Sequence, residues 1–429
     1  MNCDYACGSS EHRMHRRKFL GAAAAGLGGV VAGLGAFGRP ALAKALESSQ
    51  YRVLVINMHG GLSQLESWDP KPGTSTGGPF RAIPTSVPGL HVSELLPMTA
   101  RQMHHLTVVR GVNTAEDDHG KGAYLMTTGR RKTPAANYPV VGAVVAKALA
   151  PADSPLPGHV VITPGGGGGR NSDAAYLGPK YASVVLGNGQ PPQYSNRPAT
   201  ADAAALADRD GFRHQLDDRF VQRRRTAQTD AFTYSYDQAL QLMARRQVFD
   251  VSKEPAKDAD RYGRHDFGRH CLLARRLLNQ GISFVQVTHS NYDTHNENFD
   301  FHLEQLGEFD RPFACLVEDL AASGMLDRTL VVVLSEFGRT PNINHLYGRD
   351  HWSKAWSVVL GGGRIPRGFV YGKTDANGTA VLDGQLDHAN LFHTYLQAVG
   401  VDSTASFQID GRAMPVADPA SGPVKELLT

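Results

Sequence analysis

The feature that most constrains this chain is a series of strand-length apolar runs at 52–58, 106–110, 159–162, 282–288, 329–335 and 357–360. Most are near-continuous in Val, Ile and Leu rather than alternating, as strands buried on both faces are. Between the runs at 282–288 and 329–335, Phe301, Leu306, Phe309, Phe313, Leu316 and Leu320 fall broadly on one helical face, and Gly324 follows as a stop signal. Strand, helix, strand is then the recurring unit. It predicts an α/β fold of three layers, a mostly parallel sheet between two layers of helices. Residues 202–255 read as a charged helical insertion that includes Arg223-Arg224-Arg225. Residues 164–169 lack the Gly-Lys-Ser/Thr ending of a phosphate cradle and read as a flexible connection.

The first 43 residues are set apart. Arg16-Arg17-Lys18-Phe19-Leu20 precedes a weakly apolar Gly/Ala/Val run, and Ala41-Leu42-Ala43 follows as a small-x-small cleavage site. This order resembles a twin-arginine export signal, which implies a folded protein delivered to the periplasm or beyond. The main domain then spans 44–429, with no stable membrane span once the signal is removed. The formal net charge is +3. Five basic and two acidic residues lie in 1–43, so the remainder is balanced and has no electrostatic case for nucleic acid. Of four cysteines, only Cys271 and Cys315 lie beyond the signal, compatible with one disulfide or with two buried thiols.

Open parallel sheets bind ligands beyond the carboxyl ends of their strands. The polar residues there form five clusters: His59-Gly60-Gly61-Leu62-Ser63, Asp117-Asp118-His119-Gly120, the segment from His289 through Asp293 to His295, Glu336-Phe337-Gly338-Arg339, and Arg349-Asp350-His351-Trp352 before the last run. Asp293 and His295 are two apart, so in an extended loop both side chains point the same way. Glu336 directly follows a buried strand, where a carboxylate needs a partner or a metal. Asp293, His295, Glu336 and His351 are the leading metal-ligand candidates, with Asp350 and His59 next. Carboxylate and imidazole donors suit zinc, manganese or iron better than calcium.

The run ending in Ser335-Glu336-Phe337-Gly338 resembles the alkaline phosphatase and sulfatase superfamily, where a buried strand ends in Ser-Asp-His-Gly and the acid and imidazole bind metal. The first strand before His59-Gly60 and the segment 387–400 resemble that superfamily's first strand and C-terminal helix. A narrower series is similar to an exported, twin-arginine bacterial domain family of unknown function: Gly60-Gly61-x-Ser63, Trp68-Asp69-Pro70, Asp293-Thr294-His295, Glu336-Phe337-Gly338-Arg339-Thr340-Pro341, Gly348-Arg349-Asp350-His351-Trp352 and Gly361-Gly362-Gly363. The resemblance implies an alkaline phosphatase-like sandwich.

It also implies a metal-dependent hydrolase of a phosphate or sulfate ester, acting on a small anionic ester or a sulfated or phosphorylated polymer. The departures are informative. Aligning Thr128-Gly129 with the end of the sulfatase signature puts His119 at the nucleophile position, where no Cys, Ser or Thr stands. His119 is then expected as nucleophile or general base, with Asp118 or Asp117 orienting its ring. Arg339 offers a planar fork for a tetrahedral oxyanion, and Ser63 is a second candidate for that anion or a turn cap. With His59 and Phe337 at positions where the superfamily has metal-binding acid and imidazole, one ion is favoured over two. The competing expectation is a non-catalytic exported binding protein that reuses the fold.

Overall fold

The computed structural model describes residues 50–429 except 135, 152–153, 167, 171, 193–194, 197–201 and 225–226. The expected export signal and Arg225 lie outside the described residues. Among these, a nine-stranded sheet forms the middle layer. Its strands in chain order are β1 (Arg52–Met58), β2 (Leu106–Val112), β3 (His159–Thr163), β4 (Gly168–Arg170), β5 (Val184–Gly187), β6 (Phe284–His289), β7 (Thr329–Leu334), β8 (Trp356–Gly361) and β9 (Phe369–Tyr371). The spatial order is β9-β2-β8-β7-β1-β6-β3-β5-β4. Only β4 and β8 run against the rest. The α/β class with a mostly parallel sheet is therefore the one found.

The run at 52–58 shows why. In β1, Leu54, Ile56 and Met58 join one core cluster while Val53 and Val55 join the other, so both faces are dry. Fully burying each such side chain contributes about 1.5–3 kcal/mol. Helices α5 (Asp266–Asn279) and α6 (Asn298–Ala322) cover the first face through Leu273, Leu277, Phe309 and Phe313. Helices α2 (Val141–Leu149) and α7 (His388–Ala398) cover the second through Val144, Leu391 and Leu396. Asp387 starts α7 with a capping box. Helices α3 (Ala203–Arg224) and α4 (Ala227–Ala244) account for most of the expected insertion.

Register sets the site. Met58 of β1 pairs with His289 of β6, and Asn57 pairs with Leu334 of β7. Three central strands thus end level, and the residues after them emerge at one rim. The same rim receives helix α1 (His119–Thr128) from the loop after β2. Because β8 is antiparallel, the residues before it, not after it, reach that rim. One expectation is revised. The stretch 164–169 is not all connection, since Gly168–Arg170 pairs with β5 as an edge strand. Cys271 and Cys315 are free buried thiols. Among the described residues no helix is long and apolar enough to cross a membrane.

Candidate metal centre

Three imidazoles from three rim segments converge on Asp293. Its Oδ1 lies 3.1 Å from His295 Nε2 and 3.2 Å from His351 Nε2, and its Oδ2 lies 3.3 Å from His119 Nε2. The His295 and His351 Nε2 atoms are 3.0 Å apart.

What the other ring nitrogens touch decides the chemistry. His351 Nδ1 is 2.7 Å from the Asp117 carbonyl oxygen. His119 Nδ1 is 2.8 Å from Glu336 Oε1, and His295 Nδ1 is 2.7 Å from Asp350 Oδ1. Carbonyl and carboxylate oxygens accept, so each Nδ1 carries the proton and donates. In the neutral rings each Nε2 is then left with a lone pair: those of His295 and His351 face each other and Asp293 Oδ1, and that of His119 faces Asp293 Oδ2. Consistent with this, buried His119 Nε2 makes no hydrogen bond despite its closeness to Asp293. Such an arrangement is repulsive by itself and attractive around a cation. Metal-binding imidazoles characteristically donate their second N–H to a carboxylate or backbone carbonyl, as here. Donors at about 2.0–2.2 Å from an ion in a tetrahedron stand roughly 3.4 Å apart, close to the four separations given above, and one ligand atom each of His119, Asp293 and His351 lies within 4.8 Å of the other two. The residues therefore fit a divalent ion with imidazole and carboxylate donors.

The supports are buried. Glu336, 2% exposed, takes the Gly60 N–H at 2.9 Å as well as the His119 proton. Ser335 Oγ accepts from the Gly61 and Leu62 amides at 3.1 Å. The glycines are required: a Cβ on Gly60, at φ +117°, would meet the Asp293 backbone nitrogen at 2.6 Å. Arg339, with no exposed surface, donates to Asp293 Oδ1 at 2.7 Å, to the Gly61 carbonyl at 2.8 Å, to the Arg349 carbonyl at 3.1 Å and to the Gly60 carbonyl. Partial burial pushes the Asp293 pKa up. The hydrogen bond and charge of Arg339 outweigh that and bring it down to about 2. Burial in turn lowers the Arg339 pKa, against the pull of Asp293.

A second buried pair holds the segment that carries Asp350 and His351. Arg349 grips Glu66 with two bonds, 2.8 and 3.0 Å, neither side chain being accessible to solvent. Asn298 adds a bond to Glu66 Oε2 at 3.0 Å, and the Thr76, Thr340 and Pro341 carbonyls take the remaining Arg349 protons. Phe337, fully buried, packs its ring 4.8 Å from that of His119 and 4.4 Å from that of His351.

Several expected roles move. Glu336 and Asp350 sit behind His119 and His295 as acceptors for their Nδ1 protons instead of beside Asp293. His119 joins the converging donors instead of standing apart as a nucleophile or base. Asp118 does not orient that ring. Its side chain caps α1 by accepting the Lys121 N–H at 2.9 Å. Arg339 is fully buried, with four of its N–H groups bonded within this chain, and presents no fork to an anion at the rim. Ser63 is fully buried, its amide on His302 Nε2 at 3.2 Å, and presents no surface to the rim. His59 stands apart from the converging donors, its Nε2 4.0 Å from Glu336 Oε1 and its side chain 56% exposed. Sequence reasoning missed Glu66 and the structural part of Arg349, although both lie inside or beside the quoted motifs. It also missed the Asp117 carbonyl, which side-chain types cannot signal.

Residues 50–428 match a family described as Protein of unknown function (DUF1501), and the chain belongs to it. Among curated proteins none matches. Solved structures similar to it include a sulfatase from Pseudoalteromonas sp., at 14% identity over 90% of this chain and 74% of that one, TM-score 0.41. Another is a lipoteichoic acid synthase from Listeria monocytogenes, at 7% identity over 88% and 80%, TM-score 0.37. A third is a protein in the alkaline phosphatase superfamily from Vibrio parahaemolyticus, at 11% identity over 87% and 70%, TM-score 0.34.

Proposed function

We propose that this is an exported hydrolase of phosphate or sulfate esters that works with one divalent ion held by His119, Asp293, His295 and His351. The observation that carries the reading is the set of three imidazoles, each with Nδ1 committed to an acceptor, turning three Nε2 lone pairs onto one carboxylate. Zinc, manganese or iron suits those donors. The rim position beyond the strand ends, where α/β folds bind ligands, supports a catalytic use. So does access: the side chains of Asp293 and His295 are 48% and 45% exposed. Export rests on the twin-arginine pattern at the start of the sequence.

An ion bound there supplies Lewis acidity toward an ester oxygen and a lowered pKa for water. The chain does the rest. Glu336, Asp350 and the Asp117 carbonyl hold the three rings in one tautomer. Arg339 keeps Asp293 ionised and aimed. Phe337 walls the site on its inner side and excludes water there. His59, the exposed imidazole next to Glu336, is placed to give or take the proton of a leaving alcohol or an incoming water.

The test is elemental analysis of mature protein purified after export, with a panel of chromogenic phosphate, sulfate and phosphonate esters. The expected result is about one equivalent of a transition metal, lost in His351→Ala and Asp293→Ala, and turnover of at least one ester. Metal without turnover of any ester would favour the non-catalytic binding protein. Absence of metal would remove the reading altogether.

A further inference from the structure

At the other end of the sheet from the candidate metal centre, two lysines share a small cavity of about 140 Å³. Lys147 comes from the last turn of α2, Lys180 and Tyr181 from the connection before β5, and Tyr234 from α4. Gly158, the residue before β3, also lines it, so the cavity lies at the amino end of that strand. Both ammonium groups stand over the ring of Tyr181, Lys147 Nζ 4.8 Å and Lys180 Nζ 5.9 Å from its centroid. Lys147 Nζ is also 5.3 Å from the ring centroid of Phe407, and Lys180 Nζ is 5.6 Å from that of Tyr234.

The lining holds two positive charges and no negative one. No Asp or Glu borders the cavity, and among the described residues neither lysine side chain is bonded to a carboxylate. The last carbonyls of α2 favour a cation at Lys147, and the rings add cation–π attraction. Neither neutralises two like charges. Burial and the charge of Lys180 both lower the Lys147 pKa, as expected of a cation short of a partner. The hydroxyls of Ser154 and Tyr234 are engaged, donating to the Leu156 carbonyl at 3.0 Å and the Lys180 carbonyl at 3.4 Å. The two ammonium groups are then the strong donors left over. The cavity is smaller than the roughly 300–1,000 Å³ of drug-sized ligand sites, which excludes a sugar or a nucleotide and admits a small ion. An ion with several outward acceptor oxygens can take protons from both lysines at once.

We infer that this cavity binds a small tetrahedral oxyanion, phosphate or sulfate, between Lys147 and Lys180. The inference does not use the hydrolase reading above, since the cavity shares no residue with the converging imidazoles.

The experiment titrates the full chain with sodium phosphate and sodium sulfate by calorimetry, with chloride and acetate as references at matched ionic strength. It compares Lys147→Gln, Lys180→Gln and His351→Ala. Both lysines reach solvent, so neither glutamine threatens the fold. In parallel, acetylation of each lysine is followed by mass spectrometry with and without the ion. The expected result is a binding event for phosphate or sulfate that persists in His351→Ala and weakens about tenfold in each lysine variant, as loss of one charge-assisted hydrogen bond gives. The ion should also slow acetylation of Lys147 and Lys180 and leave exposed Lys257 unaffected. Binding lost in His351→Ala and kept in both lysine variants would put the ion at the metal centre and overturn the inference. So would failure of both ions to bind, equal affinity for chloride or acetate, or acetylation blind to the ion. Methyl phosphate and methyl sulfate identify the source. If they bind as tightly as the inorganic ions, the cavity takes the terminal group of a larger molecule; if they fail, it takes the free ion. The oxyanion site stands in either case.

Discussion

His119 Nδ1 and Glu336 Oε1 are 2.8 Å apart, joining the first turn of α1 to the end of β7 across 217 residues of sequence. This contact decides which nitrogen of His119 faces Asp293. Replacing Glu336 with Ala removes the acceptor and frees the ring to turn. Metal affinity should drop by about 10- to 100-fold, as for other residues that orient a ligating imidazole. Competition with a chromophoric chelator measures it. Unchanged affinity would show that Glu336 has no part in orienting His119.

The Glu66–Arg349 pair makes a different prediction, about stability. Glu66→Gln leaves Arg349 buried with no countercharge, at a cost of about 3–5 kcal/mol. Urea denaturation should show the loss with little change in m-value. Because Arg349 precedes Asp350 and His351, the ion should also be released faster on adding EDTA. A loss below about 1 kcal/mol would mean that Arg349 finds another partner.

Arg339→Lys is expected to be far from conservative. The lysine keeps the charge but cannot reach Asp293 and three carbonyls at once. Destabilisation of about 2–4 kcal/mol is expected from the carbonyls left without donors. The Asp293 carboxyl should titrate well above its parent value of about 2. Carboxyl titration by NMR in metal-free protein checks the second point, and an unmoved Asp293 would contradict the role given to Arg339.

Stability should fall on acidification through a window set by histidines. His270 and His302 are both held down to about 4, from an ordinary 6.5, chiefly by burial. Between those values the unfolded chain binds protons that the folded one does not. Their contribution is therefore complete above about 6.5 and is lost as the pH falls toward about 4. In metal-free protein, the urea midpoint should decline across that range, less steeply in His270→Gln. A midpoint that is flat from pH 7 to 4.5 would refute this.

The strands were legible because burial on both faces leaves an unbroken apolar run, and all six expected runs became strands of the sheet. The glycine-rich Gly168–Arg170 was not, since glycine has little strand preference of its own and pairing with β5 supplies the order. The site was legible as a set of positions. Asp293, His295 and His351 do meet, because polar residues after buried parallel strands have one rim to go to. Individual roles were less so. Whether Glu336 touches an ion or an imidazole depends on depth behind the rim. Whether Arg339 faces solvent or three carbonyls depends on how the segments after β1 and before β8 fold over it. Neither is written in residue type.

The reversed direction of β8 also has a consequence for the newly made chain. His119 is in place early, but His351 arrives 232 positions later and reaches the others only when β8 has been threaded between β2 and β7. A nascent or truncated polypeptide ending before that point has two of the imidazoles and the aspartate but lacks the third imidazole, so on the proposed reading ion capture would belong to the closing moments of maturation. Metal loading would then report that almost the whole polypeptide has been assembled.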